Sequence, residues 1–375
     1  MHIVVNTRLL LPEKLDGIGW FSHEVLSRIT RSMPEHQFTF LFDRPFDERF
    51  IYSDNVQGKS LFPPTRHPWL YQFYFEQVVP YQLKALQADL FFSPDGFLTT
   101  KHSVKQVPVI HDLNFEHRPQ DLPPKYARYY QKYFPLFARK AERILTVSEY
   151  SKTDIHKTYG IEKSKIDVAH NGYNPAYRKL SEEEKCTSRK RFAEGEHYFI
   201  FVGNFSYRKN IHGIIKAFDH YKQHDGVGKL LLVGNPLWNY AEMDEALKHA
   251  RFSNDVLFAG RLEIQDLTMA MGAAEALLFP SYFEGFGIPI LEAFAAETPV
   301  ITSPLTAMPE IAAEAAMYAH PENFKKISNH MKDIFHNENQ RIKLVRKGKE
   351  QLLNFSWDQT ANKVKSTLLD TLKMI

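Results

Sequence analysis

Short runs of apolar residues alternate with helix-like patterns along the whole chain. Because the runs are continuous rather than interleaved with polar residues, they are typical of strands covered on both faces, as in parallel sheets. They form two successive series, which predict two doubly wound α/β domains. A charged stretch without strand character, Leu180–Glu196, separates the two series. The predicted strands are His2–Asn6, Phe38–Phe42, Asp89–Pro94, Val107–Asp112, Ile144–Ser148, Ile166–Ala169, Tyr198–Gly203, Leu230–Gly234, Val256–Gly260, Ala276–Pro280, Pro299–Thr302 and Met317–His320.

Length and composition agree with this organisation. A chain of 375 residues with 43% hydrophobic residues is long and apolar enough for two cores. The single cysteine, Cys186, cannot form an internal disulfide and fits a reducing compartment. The first residues lead directly into a strand pattern, and no apolar run reaches the roughly 18 residues of a spanning helix. We therefore expect a cytoplasmic protein, and the net charge of +3 does not indicate nucleic acid as a partner.

Two aromatic-rich segments are open to two interpretations. Trp69–Tyr81 and Lys125–Lys140 both fit helices with one buried aromatic face. Both also fit a surface that contacts an acceptor or a membrane, and the second segment interleaves aromatic with basic residues. A peripheral contact with the inner face of the cell membrane therefore stays open.

The most informative segment contains two glutamates eight positions apart, Glu284 and Glu292. Gly285 and Gly287 between them allow bare backbone to approach a ligand, and Pro289 suits the start of a helix. This pattern predicts Glu284 on a loop at the carboxyl end of a strand and Glu292 in the first turn of the next helix. Open α/β sheets bind their ligands at that edge. A capped helix with an acidic first turn is the alternative, but a cap does not need the intervening glycine loop.

A basic pair, Arg208 and Lys209, follows the predicted strand Tyr198–Gly203 after a short loop. Asn210 comes next and is predicted to cap the following helix. Two cations beside a helix N-terminus form an anion site, such as one for phosphate. The alternative is a basic pair that is simply solvated.

Two glycines, Gly17 and Gly19, lie between the first predicted strand and a predicted helix, Trp20–Arg31. Backbone at such a turn can approach a phosphate or an acceptor. The pattern is not the dinucleotide-binding fingerprint, because Ser22 stands where that fingerprint has its third glycine. A turn that binds nothing is the alternative.

His111 stands at the end of a predicted strand, where ligand sites form in open sheets. A lone histidine is more often structural, so its position alone suggests little. The chain contains no Asp-x-Asp pair and no H-E-x-x-H spacing, and we therefore expect neither a metal nor another cofactor.

The segment F-P-S-Y-F-E-G-F-G-I-P-I-L-E, Phe279–Glu292, resembles the signature of glycosyltransferase family 4, the group 1 retaining glycosyltransferases of GT-B fold. The likeness covers most of the chain in the family's order, through Val109–Leu113, Thr146–Ile155, Asn171–Gly172, Phe201–Asn210 and Val256–Asn323. The chain departs from the family at two turns where glycine is usual. Glu297 stands at one of them, and Ala312–Ala313 at the other.

This resemblance implies two facing Rossmann-like domains with a cleft between them. Residues 1–180 would form the N-terminal, acceptor-binding domain, and residues 181–356 the C-terminal domain that binds a nucleotide-sugar. Residues 357–375 would form a helix that crosses back to the N-terminal domain.

The resemblance also implies a role for each candidate residue. Arg208 and Lys209 would bind the donor diphosphate in place of a metal, and His111 would lie beside the transferred sugar. Glu284 would hold sugar hydroxyls and Glu292 the ribose. The remaining donor-site residues would be Gly17 and Gly19 near the phosphates, Gly203 ahead of the basic pair, Gly285, Phe286 and Gly287 around the sugar, and Arg261 and Leu262 near the base.

The resulting prediction is a metal-independent retaining glycosyltransferase that moves a hexose to a glycan or lipid-linked glycan acceptor. Mannose is the preferred sugar, with GDP-mannose preferred to a UDP-sugar. The reason is that the sequences of the motifs resemble those of mannosyltransferases of polysaccharide assembly. Three other functions stay open: a retaining glycosidase, which would not need a nucleotide site; a nucleotide-sugar epimerase of the GT-B fold; and a non-catalytic nucleotide-sugar-binding protein.

Overall fold

The computed structural model describes residues 1–12, 15–65, 67–236 and 240–373. Its strands are β1 (His2–Asn6), β2 (Gln37–Phe42), β3 (Val56–Ser60), β4 (Leu90–Ser93), β5 (Lys105–Pro108), β6 (Ile144–Thr146), β7 (Ile166–Val168), β8 (Tyr198–Val202), β9 (Lys229–Val233), β10 (Val256–Gly260), β11 (Leu277–Phe279), β12 (Val300–Thr302) and β13 (Ala316–Tyr318).

The α-helices lie between the strands and after the last of them. They are α1 (Gly17–Ser32), α2 (Pro68–Phe73), α3 (Val79–Ala85), α4 (Asn114–His117), α5 (Pro124–Lys140), α6 (Glu149–Tyr159), α7 (Glu182–Ala193), α8 (Ile211–Gln223), α9 (Ala241–His249), α10 (Ile264–Gly272), α11 (Ile288–Ala295), α12 (Met308–Ala312), α13 (Phe324–His336), α14 (Glu338–Leu352) and α15 (Trp357–Lys373). Within the described residues, none of these helices is long and apolar enough to cross a membrane.

The chain forms two compact units. The first comprises Met1–Gly172 together with Ser356–Ile375, and the second comprises Tyr173–Phe355. The first unit contains a parallel sheet in the order β3-β2-β1-β4-β5. A β-bridge from Val109 to Leu145 continues this sheet to the parallel pair β6–β7.

Strand β3 was not predicted from the sequence, and its burial explains why. It pairs with β2 at the edge of the sheet, and only Val56 at its start is buried. An edge strand that is largely exposed does not show the continuous apolar run on which the prediction depended. The other strands of the sheet are largely buried, as continuous apolar runs require.

The second unit contains a parallel sheet in the order β10-β9-β8-β11-β12-β13. In both sheets the strand order reverses beside the first strand of the unit, between β1 and β4 in one and between β8 and β11 in the other. Ligands of open α/β sheets bind outside the carboxyl ends of the strands at this point.

Helix α15 completes the first unit after the chain has passed through the second. It packs along α1, and Phe21 contacts the ring of Trp357 at a centroid distance of 6.3 Å. Gly172 lies against the start of this helix, where an added Cβ would lie 2.3 Å from the backbone nitrogen of Trp357. Only glycine therefore fits at this crossing of two segments.

Candidate functional site

Glu284 lies at the centre of a charged cluster in the second unit, on the loop between β11 and α11. Its side chain is buried, with 6% of the residue exposed. Oε2 accepts a hydrogen bond from Nη1 of Arg208 at 2.9 Å, and Oε1 lies 2.5 Å from Nζ of Lys209. One carboxylate thus pairs with two cations, and these three side chains together carry one net positive charge.

The basic pair reaches this carboxylate because the loops after β8 and β11 are tied together. Arg208 and Lys209 lie in a short 3₁₀ turn, Tyr207–Lys209. The backbone nitrogen of Tyr282 donates to the carbonyl of Arg208 at 2.7 Å, and Nη1 of Arg208 donates to the carbonyl of Phe283 at 2.8 Å. The sheet therefore brings together, at its switch point, residues about 75 positions apart in the chain.

Asn210 stands at the N-cap of α8, as predicted, but its side chain does not cap the helix. The residue adopts a left-handed conformation with a φ of 59°. Its buried Nδ2 donates instead to the carbonyls of Pro280 and Pro321, at 3.2 and 2.8 Å. The side chain thus fastens the loop of the basic pair to the loop that leads to Glu284.

Charge, more than burial, determines the state of Glu284. Burial alone would raise the pKa of its carboxyl group, because the charged form is poorly solvated. The neighbouring charges of Arg208 and Lys209, and the hydrogen bonds they donate, outweigh that effect and lower the pKa below its usual value. Glu284 is therefore ionised at neutral pH and available as a hydrogen-bond acceptor.

The glycine loop after Glu284 leads into α11. Gly287 has a φ of 109° and directly precedes the helix, in a conformation that other residues rarely adopt. Phe286 is buried and packs against Phe355 with ring centroids 5.8 Å apart. Gly285 links this anchored ring to Glu284. On the other side of Glu284 the carbonyl of Phe283 accepts from Arg208, so the loop is held on both sides of the carboxylate. The first N–H groups of α11 have no acceptor within the helix.

Glu292 lies in the second turn of α11, not in the first turn as predicted, because the helix begins at Ile288. The acidic-first-turn alternative fails for the same reason, since the first turn contains no acidic residue. Burial raises the pKa of Glu292 to about 7, and the nearby hydroxyl of Tyr177 only partly offsets this effect. Glu292 therefore titrates near neutral pH.

Two further predicted donor-site positions lie along the same carboxyl edge of the sheet. Gly203 follows β8 with a φ of 147°, and its carbonyl oxygen would be 1.9 Å from a Cβ added to Gly234. Close backbone packing thus accounts for the second of these glycines. Arg261 and Leu262 follow β10, the edge strand of the sheet. Two strand spacings, about 10 Å, separate that strand from β8.

The predicted position of Gly17 and Gly19 before the first helix was wrong, because α1 begins at Gly17. Both residues lie in its first turn, where Asp16 caps the helix by accepting from the nitrogen of Gly19 at 3.2 Å. A Cβ on Gly19 would lie 3.0 Å from the carbonyl oxygen of Leu9, so packing alone favours glycine there. Apart from its chain neighbours and the backbone of its own helix, no described atom lies within 4 Å of a Cβ added to Gly17.

His111 follows β5 in the first unit and is held by one hydrogen bond. Its Nε2 donates to the carbonyl of Pro94 at 2.8 Å. Nδ1 is therefore the unprotonated nitrogen of the neutral ring and can accept a hydrogen bond. Phe21 contacts the ring edge-to-face at 5.1 Å. Burial lowers the pKa of His111, so the imidazole is neutral at neutral pH.

A buried ion pair at the switch point of the first sheet was not predicted from the sequence. Nε of Arg8 lies 2.5 Å from Oδ2 of Asp95, and each residue is only 7% exposed. Asn6 donates to Oδ1 of the same carboxylate at 2.6 Å, and the guanidinium of Arg8 lies 4.2 Å from the ring centre of Phe97. Polar residues directly after the apolar runs of β1 and β4 were the signal that could have revealed it.

No group of three His, Cys, Asp or Glu side chains among the described residues could hold a metal ion. Glu284 is paired with two cations, Arg208 and Lys209.

Comparison with known proteins agrees with this arrangement. The family described as Glycosyl transferases group 1 matches residues 182–351, and Glycosyltransferase Family 4 matches residues 16–177. The chain belongs to the group 1 glycosyltransferases of family 4. It is therefore a glycosyltransferase, as predicted from the sequence.

Three known proteins show the range of the likeness. O-antigen chain mannosyltransferase B of Escherichia coli is 25% identical over 94% of this chain and 96% of its own length. O-antigen chain mannosyltransferase RfbU of Salmonella typhimurium is 29% identical over 63% of this chain and 64% of its own. The solved structure of Anabaena HepE with UDP-glucose is 16% identical and has a TM-score of 0.76, covering 99% of this chain and all of that one. The predicted GT-B fold is confirmed.

The two departures from the family's glycines have a structural consequence. Glu297 adopts a φ of 58°, and Ala313 a φ of 45° with a ψ of −127°. Glycine reaches both conformations without strain, whereas side-chain-bearing residues do not. Glu297 gains ion pairs with Lys349 at 2.7 Å and Lys179 at 3.5 Å. The methyl side chain of Ala313 cannot make such ion pairs.

Proposed function

We propose that this glycosyltransferase transfers a hexose, preferably mannose, from a nucleotide diphosphate sugar to a glycan or lipid-linked glycan, with retention and without a metal. The observation that carries the proposal is the buried pairing of Glu284 with both Arg208 and Lys209. The cluster has one positive charge in excess, at the edge of the sheet where ligands bind. It therefore suits an anion that also presents hydroxyl groups.

The reaction needs stabilisation of the leaving group. The bond between the anomeric carbon and the phosphate oxygen breaks, and a bond from that carbon to the acceptor oxygen forms on the same face. The nucleoside diphosphate leaves with the bonding electrons, and its departing oxygen takes the proton of the acceptor hydroxyl. Arg208 and Lys209 are fixed before the reaction, so they can stabilise this developing charge without reorganising.

Glu284 retains capacity for the sugar while it holds the basic pair. A carboxylate has about four acceptor sites, and the two pairings with Arg208 and Lys209 leave room for sugar hydroxyls. Glu292 is the acceptor proposed for the ribose hydroxyls. A charge at that buried position becomes more favourable when two hydroxyls donate to it.

The preference for mannose draws support from relatives. Two of them are named as O-antigen mannosyltransferases, and one matches almost the full length of the chain. The competing donor class is a UDP-sugar, because HepE was solved in complex with UDP-glucose. We propose the acceptor role for the first unit, where His111 presents a neutral imidazole.

The test is sugar transfer by the purified protein in EDTA. GDP-mannose and UDP-glucose would be compared, with lipid-linked glycans as acceptors, and the anomeric configuration of the product read by NMR. The proposal expects an α-mannoside from GDP-α-mannose, with little or no transfer from UDP-glucose. A product of inverted configuration, or transfer that requires added Mg²⁺, would contradict the mechanism.

The same assay distinguishes the other functions. An epimerase would convert the sugar nucleotide without any acceptor. A glycosidase would release sugar from glycan without any nucleotide. A binding protein would take up GDP or UDP and show no turnover with any acceptor.

A further inference from the structure

The first unit has an exposed surface that its fold does not explain. Trp69, Phe73 and Tyr81, on α2 and α3, are 68%, 49% and 70% exposed. The same two helices bury other side chains, such as Leu83, in the core of the unit. The core-facing positions of these helices are thus already occupied by other side chains. Each exposed aromatic residue presents a large apolar area to water.

The charge of the surrounding segments is strongly one-sided. Residues 67–85, 100–105 and 124–140 contain eight lysines and arginines and one acidic residue, whereas the whole chain has 47 basic and 44 acidic residues. The one acid, Glu76, is buried and accepts hydrogen bonds from the backbone nitrogen and hydroxyl of Thr100 at 3.0 and 2.7 Å. The exposed basic residues are Lys84, Lys101, Lys125, Arg128, Lys132, Arg139 and Lys140.

The aromatic and basic residues form one continuous surface, here called the basic–aromatic face. A cavity of about 540 Å³ is lined by Phe73 and Gln77 from one side and by Lys101 and Tyr133 from the other. Burial lowers the pKa of His102 on this surface, and the positive charges of Lys140 and Lys84 lower it further.

Along α5, the exposed positions recur at helical spacing. Arg128, Lys132, Leu136 and Lys140 follow one another every four residues on the side opposite to the buried Tyr129 and Phe137. Lys132 and Lys140 are both exposed, and neither is paired with a carboxylate among the described residues. The charges of this stripe are therefore directed outwards.

We propose that the basic–aromatic face docks the protein on an anionic lipid bilayer. Aromatic side chains such as Trp69 and Phe73 are favoured at the boundary between headgroups and acyl chains. The basic residues around them attract anionic headgroups, and long lysine side chains reach those headgroups while their stems stay apolar. A soluble polyanion would use the charges but would leave the exposed aromatic rings without a role. The proposal does not depend on which sugar the enzyme transfers.

The experiment is co-sedimentation of the full chain with lipid vesicles. Vesicles of phosphatidylglycerol with phosphatidylethanolamine are compared with vesicles of phosphatidylcholine alone, at low and physiological salt. Binding is expected only to the first kind, and it should weaken as salt rises. The emission of Trp69 should shift to shorter wavelength on binding, and Trp69→Phe identifies that signal.

Three paired variants separate the contributions. Lys132→Glu with Lys140→Glu should weaken binding about 25-fold or more, because loss of each lysine charge near an anionic surface weakens binding about fivefold. Trp69→Ser with Phe73→Ser should weaken it about tenfold. The matched control, Ile342→Ser with Lys343→Glu, alters exposed residues of the second unit and should leave binding unchanged.

Two outcomes would overturn the proposal. One is equal binding to both kinds of vesicle, or none to either. The other is binding that depends on the lysines but not on Trp69 and Phe73, with equal affinity for heparin, since that result would assign the face to a soluble polyanion. Thermal unfolding of each variant shows whether it is folded, and sugar transfer to a soluble acceptor should be unaffected by all three pairs.

Discussion

The two units carry comparable polar centres at the same place in their sheets, yet with different charge. In the second unit, Glu284 at the end of β11 pairs with two cations from the loop after β8. In the first unit, Asp95 after β4 pairs with one cation, Arg8, after β1. Both carboxylates are nearly fully buried, at 6% and 7% exposure. One cluster has a surplus positive charge, and the other is neutral.

This difference indicates different uses for one topological position. A surplus cation at a switch point can be completed by an anionic ligand, such as a diphosphate. In the pair of Arg8 and Asp95, each charge is already neutralised by the other. Asn6 and the ring of Phe97 make further contacts with the pair. We therefore expect the centre of the first unit to support folding, and that of the second unit to support chemistry.

Removal of Asp95 should mainly reduce stability. Asp95→Ala leaves the buried charge of Arg8 uncompensated and should lower the free energy of unfolding by about 3–5 kcal/mol. Denaturant unfolding measures the loss, with Asp370→Ala at an exposed position of the same unit as the control. Arg8→Met combined with Asp95→Asn should restore much of it, because no unpaired charge then remains. Unchanged stability of Asp95→Ala would refute the structural role of the pair.

Removal of Lys209 should mainly reduce catalysis. Lys209→Ala deletes one of two fixed cations and should lower kcat by about 10²–10³, the usual cost of losing one preorganised group at a developing charge. Lys216→Ala, at an exposed position of α8, is the control and should retain full activity. Transfer that remains intact in Lys209→Ala combined with Glu284→Ala would contradict the proposed site.

Donor affinity should depend on pH through Glu292. Its pKa in the folded protein is about 7, raised by burial. If the ionised form accepts the ribose hydroxyls, binding of GDP-mannose should be about tenfold weaker at pH 6 than at pH 8. The raised pKa also means that, without donor, stability falls as pH rises from the unfolded pKa towards 7. Calorimetry from pH 5.5 to 8.5 tests this, and Glu292→Gln should abolish the dependence on pH.

Backbone strain also differs between the units. Among the described residues, positive φ at non-glycine positions occurs once in the first unit, at Gln87, and otherwise in the second. Ala313→Gly should relieve strain and stabilise the protein by about 1 kcal/mol, since the alanine gains no compensating contact. The control, Ala312→Gly, lies in helix α12 and should destabilise by about 0.5–1 kcal/mol. Equal effects of both changes in thermal unfolding would argue against strain at position 313.

The sequence was sufficient for the fold where burial is continuous. Strands such as β1 and β8 are covered on both faces and therefore appear as unbroken apolar runs. The edge strand β3 has no such signal. Helix starts were less certain, because glycine and proline favour a boundary without fixing its position, and α1 therefore begins at Gly17 rather than at Trp20.

The candidate site was predictable only where a local pattern marks it. Glu284 is followed closely by Gly285 and Gly287, so its place on a loop could be predicted. Arg8 and Asp95 are 87 positions apart and meet only because β1 and β4 are neighbours in the sheet. Such long-range ion pairs depend on the order of strands in the sheet, which cannot be predicted from the spacing of residues along the chain.

Calorimetric binding of GDP and UDP in EDTA, to the parent protein and to Lys209→Met and Arg8→Met, tests whether the cations beside Glu284 bind the donor diphosphate. We predict binding of at least one nucleotide by the parent, loss of most affinity in Lys209→Met, and parent-like affinity in folded Arg8→Met. A parent protein that binds neither nucleotide without Mg²⁺, or an equal loss in both variants, would contradict the assignment of the surplus charge beside Glu284 to the donor diphosphate.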